Sequence, residues 1–110
     1  MKGMLKMETK LDPWQCLKKE YPKIADAIDQ SIGNMMKLAE LDEKTKQLVY
    51  IAAQTAVNYP LAVKYHASLA IQAGATRDEI VGAASIAASV AGPKGFVRCF
   101  PSIIEGVESV

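Results

Sequence analysis

Residues 41–80 read LDEKTKQLVYIAAQTAVNYPLAVKYHASLAIQAGATRDEI, and their punctuation decides the fold. Asp42 stands where an N-cap belongs, and Glu43 follows in a first turn that favours a negative charge. The spacing predicts a helix over about 43–57 whose inward face carries Leu48, Ile51, Ala52 and Thr55. Asn58 and Pro60 then announce a second helix that stops at Gly74, a residue suited to the left-handed conformation after a helix end. Thr76-x-x-Glu79 is a capping box that opens a third. Three helices with short connections and no alternating strand pattern imply an all-α fold.

Outward from this stretch the same signals recur. LDPWQCLKKE has Asp12 as cap and Pro13 in the first turn, giving a helix to about Glu20 before Tyr21-Pro22 restarts the chain. The next segment sets Ile24, Ala27, Ile28, Ile32, Met35 and Met36 on one stripe, weakened at Gly33-Asn34. Downstream, IVGAASIAASVAG forms a helix from about 77 to 91 so rich in small residues that it is expected to be sandwiched, within the domain or at a subunit interface. Gly92-Pro93-Lys94-Gly95 breaks the chain, and a last helix is expected to be disturbed by Pro101. The sum is about six helices in a single domain of 110 residues, with a core at about 41–110 and N-terminal helices at about 12–39.

Thirteen Lys and Arg against twelve Asp and Glu, with the signs interspersed, argue against a nucleic-acid partner. The N-terminal MKGMLKMETK lacks the apolar stretch of a signal peptide. No run approaches the ~20 apolar residues of a membrane span. A cytoplasmic protein is the expectation. Two distant cysteines and one histidine offer no metal-ligand set, and nothing in the chain calls for a cofactor.

The one histidine is therefore the residue to explain. At helical spacing His66 shares a face with Tyr59, Ala62, Leu69, Ala70 and Ala73, so it is expected to point inward. Two roles are open: a core histidine hydrogen-bonded to a neighbouring helix, or a general acid/base beside a small pocket. On the preceding helix Gln47, Gln54 and Asn58 stand almost in line, either as a solvated face or as hydrogen-bond partners for the imidazole.

The stretch from Leu41, continued through IVGAASIAASVAGP, resembles the core of the carboxymuconolactone decarboxylase family, which includes the alkylhydroperoxidase D-like proteins. LDEKTKQL, the KYH helix and AGATRDEI ahead of a small-residue helix carry the resemblance. It implies the alkylhydroperoxidase D-like fold and a homo-oligomer, a trimer or hexamer. Peroxidase-like members bear Cys-x-x-Cys-x-x-x-His on this helix and a glutamate on the helix before it. Those positions fall here on Tyr59, Ala62 and His66, and on Gln47. Tyrosine and alanine form no disulfide, and glutamine takes up no proton as glutamate does. Dithiol peroxidase chemistry is therefore not expected, and Cys16 and Cys99 are expected to be buried, inert thiols. The decarboxylase branch also lacks the cysteine pair and keeps the histidine, which implies a cofactor-free lyase for a small organic acid or lactone. His66 would be its acid/base, with Gln47 and Tyr59 beside it and Ala62, Gln54 and Arg98, or Lys94, against the substrate. A non-catalytic binding or structural homo-oligomer is the alternative.

Overall fold

The computed structural model describes residues 12–110, and the reading of MKGMLKMETK lies outside them. Among the described residues there are six helices and no strand: α1 (Pro13–Glu20), α2 (Pro22–Leu38), α3 (Glu43–Ala56), α4 (Pro60–Gln72), α5 (Arg77–Ala91) and α6 (Pro93–Glu108). The chain divides into two compact units, one ending at Glu40 and the other running Leu41–Val110.

In the first unit, Asp12 accepts the Gln15 N–H at 2.7 Å and caps α1, and proline occupies the first turn of both helices. Helix α2 runs unbroken through Gly33-Asn34, so the weak point expected there does not end it. An isolated glycine lowers helix propensity by only about 1 kcal/mol relative to alanine, which a helix of this length tolerates. Its isoleucine stripe lies at an open groove lined by Ile24, Ile28, Ile32 and Met35, and Ala25 is its one buried residue.

The second unit is a four-helix arrangement in which α3 packs on α4 and α5, and α6 packs on the same two helices and also touches α3. Its core is Ile51 from α3, Val63, Ala67 and Ala70 from α4, Ile80 and Ala84 from α5, and Cys99 and Ile103 from α6. Asp42 caps α3 by accepting the Thr45 N–H at 2.8 Å, which holds its carboxyl below the ordinary range. The Thr76–Glu79 capping box forms in both directions, at 2.9 and 3.1 Å. The second oxygen of Glu79 meets Lys44 at 2.8 Å, so one side chain caps α5 and ties it to α3.

Four details depart from the sequence-based expectations. Asn58 is not the cap of α4; it takes a left-handed turn at φ 58°, which asparagine tolerates, and Tyr59 holds the cap position without a side-chain hydrogen bond. Helix α5 is not sandwiched within the unit: Ile80, Ala84 and Ala87 are buried, whereas Ile86 and Val90 are exposed beside an apolar groove between α3 and α5. Pro101 does not disturb α6, which passes through it on an exposed face, where solvent can satisfy the carbonyl that proline leaves without a donor. The chain breaks only at Gly92, and Gly95 belongs to α6.

Two glycines set how closely α6 approaches its neighbours. A Cβ on Gly95 would strike the Thr55 carbonyl at the end of α3. One on Gly106 would strike the Lys64 carbonyl and come within 2.8 Å of the Ala67 Cβ on α4. Side chains are excluded at both places because helix backbones meet there.

Candidate functional site

The buried face of α4 is Val63, Ala67 and Ala70, so His66 does not point into the core as expected. It is half-buried at the core's margin and turned toward α3. Nearly every side of α4 is apolar, and periodicity alone therefore leaves its rotation undetermined.

On α3, Gln47 and Tyr50 are three residues apart and share the side that meets His66. The Gln47 Oε1 lies 2.7 Å from the His66 Nδ1, and the Gln47 Nε2 donates to the Glu43 Oε1 at 2.9 Å. Glu43, Gln47 and His66 thus form a continuous chain of hydrogen bonds. The Tyr50 ring stacks on the imidazole with centroids 4.2 Å apart and planes 12° from parallel. The Tyr65 ring meets it edge-on at 5.1 Å. Held by one hydrogen bond and two rings, the imidazole has a fixed orientation, and Nδ1 is engaged while Nε2 is the nitrogen left for other partners. Burial lowers the His66 pKa below its ordinary 6.5, so the ring is neutral at pH 7.

The remaining candidate residues fall elsewhere. Gln54 and Tyr59 meet at the α3–α4 turn, where the Tyr59 N–H donates to the Gln54 backbone carbonyl at 2.9 Å. Seven residues separate Gln54 from Gln47 and Tyr59 from His66, about two turns or roughly 10 Å along each helix. Ala62 is half-buried one turn before His66, and Arg98 is exposed on α6. The Oε1 of Gln54 and the hydroxyl of Thr55 are buried without a hydrogen-bond partner. Asn58 is exposed and Gln47 is 5 % exposed, so the three residues in line on the sequence do not form one solvated face.

Both cysteines are free. Cys99 is buried in the core, and burial raises its thiol pKa against the lowering effects of the Tyr59 backbone and the Arg98 charge. Such a thiol stays protonated and unreactive at neutral pH. Cys16 is exposed, not buried as expected: it lies on an eight-residue helix that buries none of its residues. Among the described residues no three His, Cys, Asp or Glu side chains cluster as metal ligands. No helix there is long and apolar enough to cross a membrane.

The sequence reading missed Tyr50 and Tyr65 as neighbours of His66, and Glu43 as the partner of Gln47. A signal existed for Glu43 and Tyr50, since they stand four before and three after Gln47 and so share its side of α3. Tyr65 adjoins His66 in sequence, and adjacent helical residues ordinarily diverge.

The model of the Carboxymuconolactone decarboxylase family matches residues 22–99. No curated relative and no solved structure matches the chain.

Proposed function

This chain belongs to the carboxymuconolactone decarboxylase family, and on that premise we propose that it is a cofactor-free lyase acting on a small organic acid or lactone, with His66 as its acid/base. The observation that carries this reading is the hydrogen-bonded and stacked imidazole: Nδ1 is held by Gln47 at 2.7 Å and the ring lies against Tyr50. A general base needs a fixed orientation and a pKa near the working pH. Because the resting ring is neutral, the first transfer is uptake of a substrate proton at Nε2. The bond to the carboxyl carbon then breaks, carbon dioxide leaves and its electron pair stays on the substrate carbon, which the imidazolium, still hydrogen-bonded through Nδ1, protonates. In this proposal Tyr59 lines the pocket with Gln47, and Ala62, Gln54 and Arg98 belong to its substrate side, with Arg98 supplying a positive charge for a carboxylate. Dithiol peroxidase chemistry finds no support, since Tyr59 and Ala62 occupy the thiol positions and Cys99 is a buried, protonated thiol.

The test is turnover of a panel of carboxylated lactones and short oxo acids in deuterated water, read by carbon dioxide release and deuterium incorporation. The purified protein is expected to be active on one of them, and His66→Ala to slow it about a hundredfold or more. Equal turnover in His66→Ala refutes the acid/base role. Inactivity on every substrate with unchanged binding supports the non-catalytic alternative. Light scattering on the same samples tests the expected homotrimer or homohexamer, which a monomeric mass would exclude.

A further inference from the structure

A neutral imidazole carries its proton on Nδ1 or on Nε2, and only the first form presents a basic lone pair at Nε2. Which form is present here depends on which end of the Gln47 side-chain amide faces Nδ1. The oxygen end requires Nδ1–H, and the nitrogen end requires a bare Nδ1. His66 alone accepts either arrangement.

We infer that Glu43 decides between them: by accepting the Gln47 Nε2–H at 2.9 Å, it turns the Gln47 oxygen toward His66 and so places the imidazole proton on Nδ1. The alternative rotamer would set the Gln47 oxygen against the Glu43 carboxylate, two acceptors with no proton between them. It would also lose the hydrogen bond to the imidazolium, whose nitrogens are both donors. Burial confines the amide to these two choices, because Gln47 is 5 % exposed and water has little access to either end. Glu43 itself is exposed and touches no reacting atom, so it is a positioning residue. It makes His66 a resting base and not a resting acid, and in this sense the inference rests on the acid/base reading above.

The chain has a single histidine, so nitrogen-15 NMR of the histidine-labelled protein reports one ring. At about pH 8, where the ring is neutral, the parent protein is expected to show protonated Nδ1 and unprotonated Nε2. Glu43→Gln can offer its amide oxygen or its amide nitrogen to Gln47, so it loosens the lock and gives a mixture. Glu43→Ala frees the amide and gives a mixture. Glu43→Lys donates to the Gln47 oxygen, reverses the amide and moves the ratio toward Nε2–H by about fivefold, the order expected for one partly exposed charge-assisted hydrogen bond. Because Glu43 is exposed, all three variants should retain the parent circular dichroism. An unprotonated Nδ1 in the parent, or the parent pattern in both Glu43→Ala and Glu43→Lys, overturns the inference. The expected shifts in a protein without turnover would support the lock while the acid/base reading failed. Turnover that depends on His66, with no tautomer change in Glu43→Lys, would sink the lock alone.

Discussion

The two ends of the α3–α4 hairpin carry the same residue type with opposite outcomes. Gln47 and Gln54 are seven positions apart on one side of α3. Away from the turn, Gln47 is buried and bonded at both ends of its amide, to Glu43 and to His66. At the turn, Gln54 leaves a buried oxygen unpaired beside the equally unpaired Thr55 hydroxyl. Spacing placed both glutamines toward α4, but only one met a polar side chain there. A buried polar group is informative about function when it is satisfied by a titratable partner, and the His66 end is where that condition holds.

Each end is also anchored by one glycine of α6, which allows the comparison to be broken one end at a time. Gly106→Ala forces a methyl group into the Lys64 carbonyl and Ala67 on either side of His66. Calorimetry should show a loss of about 3 kcal/mol, at the upper end for overpacking. Gly95→Ala makes the corresponding clash with Thr55 at the turn and should cost about 2 kcal/mol. Only Gly106→Ala should alter the His66 titration curve. If both variants alter it equally, the two ends are not separate.

Substituting the glutamines comes next in size. Gln47→Ala leaves the His66 Nδ1 without its partner and should cost about 1–2 kcal/mol in denaturant unfolding. Gln54→Leu removes an oxygen that has no partner and should change stability by less than about 0.5 kcal/mol. Equal costs would mean that the Gln54 oxygen is satisfied in solution.

The smallest effect is on pH dependence. Burial depresses the folded His66 pKa below 6.5, so between that lower value and 6.5 the unfolded chain binds more protons than the folded one. Stability should therefore fall as pH drops below 6.5 toward the folded pKa, and His66→Ala should remove this part of the slope. Proton uptake by Nε2 should weaken over the same window. A slope that is unchanged in His66→Ala would assign it to carboxylates.

Much of the fold was legible because caps and breakers act locally. Asp42, the Thr76–Glu79 box, Pro60, Gly74 and Gly92 set boundaries within a residue or two of those observed, since each satisfies or removes backbone hydrogen bonds in its own turn. Asn58 misled because one residue type serves both as a helix cap and as a left-handed turn, and the geometry of the hairpin chooses between them. The candidate site was half legible. Helical spacing singled out His66 and raised Gln47 as a partner, but it missed the Tyr50 stack and the Glu43 hydrogen bond.

By itself, then, the sequence determined the helices, the family and the absence of a Cys-x-x-Cys motif, because capping, periodicity and residue identity are properties of short segments. Only the tertiary structure decided how far α4 rotates about its axis, that His66 faces α3 and not the core, and that Gln47 and not Gln54 becomes its partner. Those outcomes depend on which backbones can approach one another. Gly106 and the small residues of α4 admit α6 on one side, and His66 is left at the margin where α3 meets it.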